Sequence, residues 1–231
     1  ATQNGLLPEI LRPLAKEGTT IVLIQNGLGA EEELAKYFPQ CRIAGGMAFI
    51  CTSRVSPGHI FHADYGELTI GFLDNQYNPA VAEQIAKDFN DSNVPFRQCE
   101  DLNLFRWRKL VWNIPYNGLS IILHTTTDKM MQDPAARQLI TDLMQETVEG
   151  ARACGANIKD DFVGKMLEST DRMEPYAPSM RLDYDNRRKL EIQAIYSNPI
   201  QKAKENGYYM RKVEAVEQQL RFIQKCELGI E

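Results

Sequence analysis

The chain has 231 residues, 43% of them hydrophobic and 25% charged, with a formal net charge of −5. These are the proportions of an ordinary folded protein and exclude collagen-like and low-complexity classes. The negative balance argues against nucleic-acid binding as the main task. No apolar run approaches the roughly 20 residues that cross a bilayer, and no basic-then-apolar leader opens the sequence, so no membrane partner is expected.

In chain order, residues 1–16 predict a helix, with Leu6, Leu7, Ile10, Leu11 and Leu14 at helical spacing. Residues 19–24 form a β-branched and apolar run that suits a strand buried on both faces. A turn at 25–29 leads into a helix over 30–38, and this helix–strand–helix order belongs to the middle of a doubly wound α/β fold. A strand over 42–49 follows, then strands within 50–72 broken by turns at 56–58 and 64–66. A helix over 79–90 and a short strand over 94–97 complete this part. Beyond it the pattern is helical only, over 102–123, 134–154, 159–169, 179–197, 200–206 and 211–225. The fold expected is therefore α/β over 1–98 followed by an all-α part over 99–231.

Five cysteines, Cys41, Cys51, Cys99, Cys154 and Cys226, are scattered with no CxxC pair, which predicts free thiols and a reducing, cytoplasmic compartment. His59 and His62 alternate across a predicted strand and do not converge, so no metal site is expected.

The segment Gly27-Leu28-Gly29-Ala30-Glu31-Glu32 follows a strand and opens a helix, the setting of a dinucleotide loop. It lacks the third glycine, and its glutamates stand where pyrophosphate charge would lie, so it reads as a tight strand–helix joint. Asn26, at the end of the strand, is either a turn residue or a ligand contact, since open α/β sheets bind ligands there. In the helix expected over 102–123, Arg106, Lys109, Asn113, Asn117 and Ser120 stand amid apolar residues that occupy most of its circumference, and Lys109, Asn113 and Asn117, at i, i+4 and i+8, form one ridge. That ridge is either a solvated stripe or a row facing a cleft, and Pro115 is expected to kink the helix between the asparagines. Ser179, after Pro178, reads as a helix N-cap. Asp183 and Arg187 fit a helix ion pair, and Glu191 taken alone fits a surface carboxylate.

Together, Ile24-Gln25-Asn26-Gly27-Leu28-Gly29, then Trp107-Arg108-Lys109-Leu110 with Asn113 and Asn117, then Pro178-Ser179-Met180 and Glu191-Ile192, resemble the ketopantoate reductase (2-dehydropantoate 2-reductase) family in order and spacing. The resemblance covers essentially the whole chain. It implies the later half of a Rossmann-type nucleotide-binding domain over 1–98, then a helical substrate and dimerisation domain of the 6-phosphogluconate-dehydrogenase C-terminal type. It implies NADPH-dependent reduction of 2-dehydropantoate to pantoate, in pantothenate and coenzyme A biosynthesis. By the same resemblance Lys109 is the general acid, and Glu191 a carboxylate beside lysine and cofactor. Asn113, Asn117 and Ser179 are implied to hold the substrate. Asn26 and Gly27 are implied to meet the cofactor, with Cys51 near a backbone contact to it. A further substrate-binding asparagine of the family would fall near Thr127. The family starts with βα units and a GxGxxG turn ahead of the segment matching Ala1, about 60 residues at the usual size of such units. NADPH binding is therefore expected to require that segment, and the present chain alone is expected to be inactive. Two other expectations stand beside this one: reduction of a different 2-oxo acid, or a catalytically silent helical module that dimerises.

Overall fold

The computed structural model describes residues 1–175 and 177–230, without the side chains at 53, 63, 64 and 75. It comprises two compact units, residues 3–25 with 29–105, and residues 1–2 and 26–28 with 106–231.

The first unit is built on a four-stranded sheet in the order β1-β2-β3-β4. A 3-10 turn over Asn4–Leu6 runs into α1, Leu7–Leu11. The helix stops well short of residue 16, because Pro13 has no N–H to continue the ladder. β1 (Thr20–Ile24) leads to α2 (Ala30–Tyr37) and then to β2 (Arg42–Ser56), which pairs parallel with β1. β3 (His59–Phe72) returns antiparallel to β2 after Pro57-Gly58, where Gly58 takes φ +80°. The turn expected at 64–66 is instead a bulge inside β3. Pairing steps from Phe49 with Glu67 to Ile50 with Tyr65, and one extra residue is absorbed by positive φ at Tyr65 and Gly66. A 3-10 turn at Asp74–Gln76 and α3 (Pro79–Asp91), capped by Asn78 Oδ1 on Val81 N–H, lead to β4 (Phe96–Gln98), parallel to β3.

β1 is packed on both faces, as its composition predicts, although Ile24 at its end is half exposed. Ile21 and Leu23 join Leu34, Phe38 and Ile43 in a core that α1 and α2 cover. Val22 joins the opposite core of Ala44, Ile70 and Phe72, which α3 covers through Ala82, Ile85 and Phe89. Helices on both faces of a mixed sheet are what the doubly wound expectation requires.

The second unit is helical. α4 is Leu102–Ile122, α5 Thr127–Gln132 and α6 Pro134–Ala153, with Asp133 Oδ1 capping α6 through Ala136 N–H. α7 is Phe162–Asp171, α8 Ser179–Asp185, α9 Asn198–Glu205 and α10 Arg211–Ile223. π turns at Gln193–Ser197 and Gln224–Leu228 adjoin α9 and α10. α5 has no counterpart in the sequence reading; six residues are too few for a periodic signal. The helix expected over 179–197 is broken: α8 ends at Asp185, Arg187 adopts φ +54°, and the Leu190 N–H bonds Gln224 Oε1 instead of a helical carbonyl. The break also reassigns the ion pair, since Asp183 meets Arg188 at 2.8 Å while Arg187 donates to Glu227 O. α4 runs unbroken through Pro115, and Trp107, Val111, Ile114, Tyr116 and Ile121 on it are fully buried. No helix among the described residues is long and apolar enough to cross a membrane.

Candidate active site

The ridge on α4 does not face water. Asn113 is 6% and Asn117 1% exposed, so of the two readings of this row the solvated stripe fails. Asn117 Oδ1 accepts the Met180 N–H at 3.0 Å, which ties the start of α8 to the ridge and sets Ser179 beside it. Ser179 is the first residue of α8 and half buried. Pro178 occupies the cap position and no side chain caps this helix, so the N-cap role expected of Ser179 is not found.

The Nδ2 groups of Asn113 and Asn117 are buried without a hydrogen-bond partner. A buried donor left unsatisfied costs about 1–3 kcal/mol. Two on one ridge are hard to explain as packing, but they suit a pocket in which a ligand supplies the acceptors.

Lys109 stands one turn before Asn113. Its pKa is lowered from 10.5 to about 8, chiefly by burial and secondly by the neighbouring Arg106 guanidinium, while Glu191 opposes the shift. Arg106, only 3% exposed and one turn back, is one of the polar residues of this helix in the sequence, where it has no assigned role. Its i−3 spacing from Lys109 is the signal that points to it.

Glu191 lies in the irregular stretch between α8 and the π turn, its side chain 12% exposed. It is therefore not the surface carboxylate that its sequence neighbours suggest. Its Oε2 accepts from Asn26 Nδ2 at 3.1 Å. Asn26 thereby keeps its Oδ1 for another donor. Gly27 follows at φ +89°, and a Cβ there would stand 2.4 Å from Ala194 O, so only glycine fits. Asn26, Gly27, Lys109, Asn113, Asn117, Ser179 and Glu191 thus all belong to the helical unit. Cys51 is buried in β2 of the sheet unit. Thr127, near which the family's further asparagine was expected, is buried at the start of α5.

Residues 101–224 match the ketopantoate reductase PanE/ApbA C-terminal family, and residues 1–75 the ketopantoate reductase PanE/ApbA family. A 2-dehydropantoate 2-reductase from a Nostoc species is 44% identical over 226 residues, covering 96% of this chain and 71% of that protein. The chain belongs to the ketopantoate reductase family. The 2-dehydropantoate 2-reductase of Geobacter metallireducens is similar in structure, with TM-score 0.90 and 38% identity over 95% of this chain and 73% of that one. A D-mandelate dehydrogenase solved with NADH and anilino(oxo)acetate shares the fold, with TM-score 0.88 at 21% identity over 100% of this chain and 75% of that one. The mixed sheet with helices, followed by a helical region, is the ketopantoate reductase architecture.

Proposed function

We propose that this protein reduces the ketone of 2-dehydropantoate, a 2-oxo acid, with NADPH as the hydride donor. The observation that carries the reading is the α4 ridge, on which the half-buried Lys109 is followed by the buried Asn113 and Asn117, so that an ammonium and two unsatisfied amide donors lie along one helix face. Such a donor set suits a small anion rich in oxygen acceptors, as a 2-oxo acid is. Asn26 and Gly27, with Cys51, are proposed for the cofactor side, where Asn26 Oδ1 is a suitable acceptor for a carboxamide N–H. Residues 1–98 then serve the nucleotide and residues 99–231 the substrate.

NADPH, when bound, supplies the hydride. Lys109 donates a proton to the ketone oxygen and stabilises the negative charge that develops there. Glu191 keeps the ammonium form available, as its opposing effect on the Lys109 pKa indicates. Asn113, Asn117 and Ser179 hold the substrate so that its ketone oxygen stays at Lys109.

The test is NADPH consumption by the full-length protein with a panel of 2-oxo acids. Turnover of 2-dehydropantoate with the highest kcat/KM is expected, with Lys109→Ala lowering kcat by about a hundred-fold or more. A higher kcat/KM for another acid changes the substrate and keeps the reaction. No reduction of any of them overturns the reading.

A further inference from the structure

The π turn after Glu191 carries a carbonyl with no helical donor. The Asn198 N–H closes on Gln193 O rather than on Ala194 O, as an α-helix would require. The next nitrogen along belongs to Pro199, which has no N–H. Ala194 is 7% exposed, so its carbonyl must find a donor elsewhere in the protein. Leu28 N–H supplies one at 2.9 Å.

A second bond runs alongside it. Asn198 Nδ2 donates to Leu28 O at 2.6 Å, while its Oδ1 accepts from Gln193 Nε2 at 2.7 Å, which fixes the orientation of the amide. Both backbone groups of Leu28 are thus bound to the segment that begins at Glu191, with Gly27 pressed against Ala194 between them. Two residues before Leu28, Asn26 donates to the Glu191 carboxylate.

We infer that Asn198 and Pro199 are positioning residues: through the clamp on Leu28 they hold the Asn26 amide against Glu191. Neither residue is called on to touch a ligand; each acts through the turn. The inference rests on the reaction proposed above, in which both held groups take part.

The experiment combines amide hydrogen exchange at Leu28 with steady-state kinetics, using Asn198→Asp and Pro199→Ala in the full-length protein. Asn198→Asp keeps the acceptor for Gln193 and turns the donor into a carboxylate facing Leu28 O. Pro199→Ala restores an N–H that competes with Leu28 for Ala194 O. In both variants the Leu28 N–H is expected to exchange about ten-fold faster or more. In both, kcat is expected to fall about ten-fold with the substrate KM within about two-fold of wild type. Unchanged exchange at Leu28 overturns the inference, as does faster exchange with kcat unaltered. Should Asn198→Asp not fold, Pro199→Ala decides alone. If the wild-type protein reduces no 2-oxo acid, the proposed reaction falls, and exchange at Leu28 still decides whether the clamp exists.

Discussion

Lys109 shows how one residue's surroundings set its chemistry. An ammonium with its ordinary pKa of 10.5 is a reluctant proton donor near neutral pH; burial and Arg106 bring it to about 8. The shift is downward for a base, so the protonated form dominates below about pH 8 and is lost above it. A group that must donate a proton therefore makes kcat/KM fall about ten-fold per pH unit on the alkaline side of 8, since kcat/KM reports the free protein. Lys109→Arg retains a cation that does not titrate in this range. That variant should be slower at every pH yet show no decline near 8. A wild-type profile flat to pH 10 would remove Lys109 from the role of acid. The i, i+4, i+8 spacing makes the ridge visible in sequence, but that spacing leaves the side it faces undecided. The decision comes from burial of Asn113 and Asn117, which is a property of the helices around them and not of α4 itself.

At the scale of elements, α4 illustrates what patterning can and cannot foretell. Its near-complete apolar circumference marks it as a central helix, and the strand–helix alternation before residue 98 is equally legible, because both are local periodicities. The break after α8 is not legible, for it depends on the Leu190 N–H finding Gln224, 34 residues away, as its acceptor. α4 continues through Pro115, and the Ile114 carbonyl beside it accepts the Tyr196 hydroxyl at 2.7 Å. Close approach of these elements also explains Gly118. A Cβ at that position would lie 2.6 Å from Val216 Cγ1 and 2.7 Å from Tyr196 Oη. Gly118→Ala gains about 1 kcal/mol of helix propensity and loses about 1–3 kcal/mol by overpacking a buried contact. We expect a lower denaturation midpoint, partly recovered when Tyr196→Phe removes the hydroxyl. A midpoint at or above wild type for Gly118→Ala alone would mean that the α4 packing yields more easily than these distances allow.

Across the whole molecule, the helical unit gathers its site from segments far apart in sequence: Asn26–Leu28, the α4 ridge, and the stretch from Ser179 to Asn198. Of these, the stretch containing Glu191 is irregular between the end of α8 at Asp185 and the π turn that starts at Gln193, so its position depends on contacts from outside. The C-terminal π turn Gln224–Leu228 provides them. Gln224, 8% exposed, accepts the buried Leu190 N–H at 2.9 Å; Arg187 donates to Glu227 O at 2.9 Å; and Tyr184 bonds the Glu227 carboxylate. The Gln224 bond should matter most, because it is the buried one and its loss strands an N–H away from water. Gln224→Leu keeps the bulk and removes the acceptor, so it should cost about 1–3 kcal/mol, read as a lower urea midpoint at an unchanged m-value. Because the stranded N–H adjoins Glu191, kcat of the full-length protein should fall in the same variant. Loss of stability without loss of kcat would limit the C-terminal turn to a folding role, and loss of neither would show that Leu190 finds another acceptor.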